Sequence, residues 1–184
     1  MTNTIQRVIE LAIEIQQIPA PTFNESRRGE FVREVFTREG LSDVSIDEAG
    51  NVFGLLSSSQ PLTAKSQPLI ISAHTDTVFP LEMDLRVKRE AEKVYGIGIG
   101  DNSLGVAGLV GLIWMIRERN IKLNGDVWFV ANVCEEGLGD LHGMKAVVDR
   151  FGADVHAYLV LEGMALGHVY HRAVGVKRYR VTVK

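Results

Sequence analysis

The sequence predicts an α/β fold: a three-layer α/β/α sandwich around a mostly parallel central sheet. Short apolar runs alternate with longer stretches of helical periodicity along most of the chain. Two of the runs, Leu69–Ala73 and Val127–Val133, are apolar on both faces, as expected of strands covered on both sides. Histidine or carboxylate residues directly follow each of three predicted strands. The 184 residues suffice for one domain with its own core, and 46% hydrophobic with 23% charged residues is the balance of a globular chain.

The elements follow in order. Ile5, Val8, Ile9, Ala12 and Ile13 recur at helical spacing, and Pro19-Ala20-Pro21 stops that first helix. A second helix is predicted from near Asn24, with Phe31, Val32, Val35 and Phe36 inward and Gly40 at its end. Val44–Ile46 and Asn51–Leu56 read as strands around a turn at Glu48-Ala49-Gly50, and Ser57–Pro68 as a polar surface loop. Leu69–Ala73 is the central strand. A glycine-rich turn, Gly96 to Ser103, leads to a helix over Leu104–Arg119 with Val106, Leu109, Val110, Ile113 and Ile116 inward. Val127–Val133 is a strand, Leu141–Phe151 a helix and Ala157–Leu161 a strand. Val176–Lys184 alternates polar and apolar residues and reads as a terminal edge strand in need of a partner.

Net charge is −3 with a pI of about 6.0, and no basic stripe points to nucleic acid or an anionic membrane. No run approaches the ~18 apolar residues of a membrane span. The first twenty residues carry Glu10 and Glu14 and lack the basic start of a signal peptide. Cys134 has no cysteine partner within the chain, which fits a reducing, cytoplasmic setting.

Chemistry concentrates at strand ends. His74 and Asp76 leave the central strand on one face, because strand side chains repeat every second residue. A neutral imidazole ligates metals well, and a carboxylate two residues on can hold its other nitrogen. Glu135 and Glu136 follow the next strand, and Glu162 follows Ala157–Leu161. Taken singly, each has a bland reading: a hydrogen-bonded His-Asp pair, a solvated acidic loop, a first exposed residue. Three strands delivering such groups at the same kind of end point to a metal site in the crevice of an open sheet. Asp101 reads as an N-cap, as part of a phosphate cradle, or as a carboxylate bridging two cations. Glycines at 96, 98, 100 and 105 match neither G-x-G-x-x-G nor a Walker loop, which argues against a nucleotide site. Adjacent acids in extended chain point to opposite sides, so Glu135 and Glu136 are expected to differ in role. Among the other histidines, His171 is the spare candidate near substrate. His142, His156 and His168 read as structural or surface residues, and Trp114 and Trp128 as core.

Ser72-Ala73-His74-Thr75-Asp76-Thr77-Val78, Gly100-Asp101-Asn102, Glu135-Glu136-Gly137 and Leu161-Glu162-Gly163 together resemble the zinc-dependent exopeptidase and deacylase family of aminotripeptidase, glutamate carboxypeptidase, acetylornithine deacetylase and aminoacylase. The run Asn132–Gly139 is most similar to the tripeptidase-like branch. The resemblance implies two zinc ions, with cobalt or manganese as substitutes. His74 and Glu162 would bind the first, Asp101 would bridge both through a cis peptide to Asn102, and Glu136 would bind the second. Asp76 would orient His74 and Glu135 would be the general base. The implied reaction is hydrolysis of amide bonds in small peptides or N-acyl amino acids by a zinc-activated water.

The family also carries a second-zinc histidine far along a longer chain, and an inserted lid that often forms a homodimer; neither is in this sequence. Residues 1–173 therefore read as the N-terminal part of the catalytic domain and 174–184 as the start of the lid. A zinc-exopeptidase-like domain truncated before that lid is expected to catalyse poorly or not at all. The rival reading is a non-catalytic fragment or binding module that keeps the fold.

Overall fold

The computed structural model describes residues 2–61, 63, 66–163, 167–177, 179 and 181–183. Met1, part of the 57–68 loop, and Arg178, Arg180 and Lys184 of the expected terminal strand lie outside the described residues.

Helices α1 (Thr2–Gln16) and α2 (Ser26–Arg38) precede strands β1 (Ser42–Ile46), β2 (Val52–Leu56) and β3 (Leu69–His74). A small hairpin of β4 (Lys88–Arg89) and β5 (Val94–Tyr95) leads into a kinked turn at Ile99–Ser103. Then come α3 (Leu104–Glu118), β6 (Val127–Asn132), a short turn at Gly137–Gly139, α4 (His142–Phe151) and β7 (Ala157–Val160). The five-stranded sheet has the order β1-β2-β6-β3-β7. β6 and β7 run parallel to β3, β2 runs antiparallel to β6, and β1 runs antiparallel to β2. Every strand except β2 therefore points the same way, as a mostly parallel sheet requires.

Pleating divides the side chains between two layers. Ile71, Ala73, Val127, Phe129 and Ala131 join α1, α2 and α3 in one core through Leu11, Ile15, Val32, Phe36, Leu109 and Ile113. Ile70, Phe53 and Val130 face the other way and pack with Val147 of α4, flanked by Trp128, Met144 and Phe151. Phe36, Phe53 and Phe129 are fully enclosed, each contributing about 1.5–3 kcal/mol of burial.

Three expectations need correction, and one element had no sequence signal. The inward stripe of α1 is Thr4, Val8, Leu11, Ala12 and Ile15, while Ile5 is 62% exposed. Contact with α3 selects that stripe, and Thr4 Oγ1 donates to the Glu118 carboxylate at 2.7 Å. The segment Ile99–Glu118 is long and apolar enough to cross a membrane by composition. Here α3 spends its apolar residues on the core, with Val106, Ala107, Leu109, Val110 and Ile113 all buried. The described residues of 176–183 form no strand and are exposed, since no open sheet edge pairs with them. The β4–β5 hairpin went unread because two-residue strands show no periodicity.

Candidate metal centre

The parallel register creates the site. His74 lies opposite Asn132 at the carboxyl end of β3 and β6, and Ser72 lies opposite Val160 near the end of β7. The ladder continues one step further, as the Leu161 N–H donates to the Ser72 carbonyl. The residues after each strand therefore emerge at one rim.

His74 is 2% exposed. Its Nε2 lies 3.0 Å from Asp101 Oδ1 and 3.8 Å from Glu162 Oε2. Its Nδ1 is 3.0 Å from the main-chain carbonyl of Asp76 and 3.5 Å from that residue's Oδ1. The nearer partner of the ring is thus the Asp76 backbone rather than the expected carboxylate. The Asp76 carboxylate instead ties the rim together. It accepts the Thr22 hydroxyl and the main-chain N–H groups of Glu135 and Glu136, each at 2.9 Å.

Ligand atoms of His74, Asp101 and Glu162 lie within 4.8 Å of one another, and so do those of His74, Glu135 and Glu136. Both adjacent glutamates therefore face His74, against the expectation that they diverge. Cys134, at φ +53°, turns the chain as it leaves β6, and both following N–H groups come onto the Asp76 carboxylate. Asp101 stands before a cis peptide to Asn102. Asn102 is buried, donates to the Leu161 carbonyl at 2.8 Å and accepts the Gly105 N–H at 3.0 Å. That amide joins the start of α3 to the end of β7. Gly163 completes the join, because any Cβ on it would collide with the Gly100 carbonyl.

Charge is crowded at this rim. Burial pulls His74 down, but the Asp76 hydrogen bond and the charges of Glu162, Asp76 and Glu135 outweigh it and raise its pKa to about 9. Burial raises Asp76, yet the bonds from His74, the two N–H groups and Thr22 hold it below the ordinary value. Burial, then the charges of Asp101, Glu135 and Glu136, push Glu162 up to about 7 against the pull of His74. Glu136 is raised by burial and by Asp101 and Glu135. Such a cluster asks for a compensating cation. The donors fit one: the 3.0 and 3.8 Å spacings from Nε2 bracket the ~3.4 Å edge of a tetrahedron with bonds of about 2.0–2.1 Å.

His171 is exposed on the tail, away from any contact with the rim among the described residues, and His142 and His156 are exposed too. Trp114 and Trp128 pack in and beside the cores, as expected. Sequence reasoning missed Thr22, Glu25 and Arg28. Arg28 did leave a signal: it shares the i, i+4, i+7 stripe with Val32 and Val35, where a charge is out of place.

A model of peptidase family M20/M25/M40 matches residues 70–183. The chain belongs to this peptidase family. The matched stretch holds His74, Asp101, Glu135, Glu136 and Glu162, and the M20 family is generally metal-dependent. Among solved structures, the M20-family chain is similar to the aminopeptidase PepT from Bacillus cereus, at 23% identity and a TM-score of 0.71 over 85% of this chain and 43% of that one. A tripeptidase from Staphylococcus aureus gives 24% identity and a TM-score of 0.67 over 87% and 44%. An aminopeptidase from the archaeon Desulfurococcus kamchatkensis gives 16% and 0.67 over 89% and 66%. The chain thus spans less than half the length of the first two, and these likenesses establish the shared fold. No curated protein sequence matches it significantly.

Proposed function

We propose that this rim is the catalytic face of a zinc-dependent exopeptidase acting on amide bonds of small peptides or N-acyl amino acids. The observation that carries the reading is the convergence of one imidazole and four carboxylates from three strand ends and the α3 turn. Similarity in fold to a tripeptidase and to an aminopeptidase supports small peptides as the substrate class. His74, Asp101 and Glu162 would hold one ion, and Asp101 with Glu136 would contribute to a second. Cobalt or manganese would suit the same donors. A bound divalent ion of this kind polarises a carbonyl and acidifies water toward a pKa of ~7.

The chain's own groups supply the rest. Asp76 holds the main-chain N–H groups of Glu135 and Glu136, and so sets where both carboxylates stand. Glu135 takes a proton from the attacking water and returns it to the leaving amine nitrogen. Residues 1–173 carry all of these groups. A cytoplasmic location would suit the buried Cys134, which forms no disulfide, and a homodimer would form through the lid that the family resemblance implies.

The test pairs elemental analysis with a screen of dipeptides, tripeptides and N-acyl amino acids. In a full-length form that carries the lid, Glu135→Ala is expected to abolish turnover with metal content unchanged; unaltered turnover would remove Glu135 from the general-base role. A chain that takes up no zinc and hydrolyses none of these substrates would favour a binding module that merely keeps the fold.

A further inference from the structure

Arg28 is a cation with 2% exposure on the first turns of α2. Burying a guanidinium costs several kcal/mol unless it is paired and fully bonded. Burial pulls its pKa down to about 10, while Asp76 and Glu25 act in the opposite sense, so it stays charged at neutral pH. Its fork is committed to main-chain oxygens. Nη1 donates to the Thr75 carbonyl at 2.7 Å, and Nε and Nη2 donate to the Ile18 carbonyl at 3.0 and 2.5 Å. Thr75 is the residue between His74 and Asp76. Its N–H and hydroxyl both go to the Asn132 carbonyl at the end of β6, at 2.7 and 3.0 Å. The peptide linking the metal-binding imidazole to the rim carboxylate is therefore held by β6 on one side and by Arg28 on the other. The Ile18 loop, pinned by the same fork, continues to Thr22, which donates to Asp76.

The geometry points to Arg28 as a positioning residue for the metal centre: its guanidinium holds the Thr75 carbonyl and the Ile18 loop so that His74 and Asp76 face the ligand cluster. The inference rests on the metal-binding reading above. A lysine would keep the charge but cannot span both carbonyls with a rigid fork. A role confined to folding would lower stability without changing metal affinity in the folded protein. The sign of the effect separates geometry from charge. Removing a positive charge beside a cation site strengthens cation binding by Coulomb's law, so weaker binding in an uncharged variant reports lost geometry.

The experiment titrates the metal-free protein with Co2+, following visible absorption, for wild type, Arg28→Gln and Arg28→Lys. Val147→Ala, on the opposite face of the sheet, serves as the stability control. Both Arg28 variants are expected to bind Co2+ about 10–100-fold more weakly, with altered absorption bands, while the control keeps wild-type affinity. A folded Arg28→Gln that binds within about twofold of wild type overturns the inference and leaves the metal reading standing. A wild-type chain that binds no Co2+ overturns both. Where neither variant folds, NMR of the wild type decides. The Arg28 Nε–H resonance should move on Zn2+ saturation, and a resonance that stays put overturns the inference.

Discussion

The two halves of the site are built on different principles. His74 and Asp76 have side chains 2% and 0% exposed, and they are fastened by Thr22, Arg28 and the N–H groups of Glu135 and Glu136. Asp101 and Glu162 are 46% and 42% exposed, and backbone contacts fix them instead: the Asn102 amide to Leu161, and Gly163 against Gly100. The buried half is part of the fold's polar interior, and its geometry is maintained by stability itself. The exposed half carries crowded negative charge whose natural complement is a cation. The buried half therefore serves both stability and ligand placement, while the carboxylates of the exposed half serve metal binding with little share in stability.

That contrast can be tested by substitution. Asp76→Ala leaves three donors without their acceptor and should cost about 3–5 kcal/mol of stability in urea denaturation, with Co2+ binding lost as well. A cost below about 1 kcal/mol would erase the distinction between the halves. Gly163→Ala forces Gly100 away from the Glu162 loop and should cost about 1–3 kcal/mol, with weaker Co2+ binding in the same titration. Asn102→Ala removes two buried hydrogen bonds. It should lower thermal stability by about 1–3 kcal/mol and reduce metal affinity through displacement of Asp101. Asp101→Asn is the sharpest contrast: denaturation should shift by no more than about 0.5 kcal/mol, while Co2+ binding falls far below that of wild type.

Most of the fold was legible because its signals are local. The strand at Leu69 is apolar on both faces and closes on His-x-Asp, and the β6 and β7 runs end on acids in the same manner. His74, Glu135, Glu136 and Glu162 stand at such ends and could be picked out from strand order, whereas Asp101, in the turn before α3, had three open readings until the family resemblance singled it out. What escaped depends on contacts between distant segments. The approach of both Glu135 and Glu136 to His74 accompanies a turn at Cys134, at φ +53°, and an acceptor for the Glu135 N–H that lies 59 residues away. Nothing in Cys134-Glu135-Glu136 announces that bend. Thr22 and Glu25 lie in what reads as a loop and a helix start, and their partners are Asp76 and Cys134. The stripe of α1 was misplaced by one position because Ile5 and Ile9 are as apolar as Leu11 and Ile15, and only the approach of α3 chooses between them.

Cys134 carries a practical consequence. It is the sole cysteine, its thiol donates to the buried Glu25 carboxylate at 3.4 Å, and burial pushes it up to about 11. As thiolate is the reactive form, alkylating reagents should pass over the native molecule. Labelling would then clock the parting of the Glu135 loop from α2, a built-in stopwatch for breathing of this rim that needs no introduced probe.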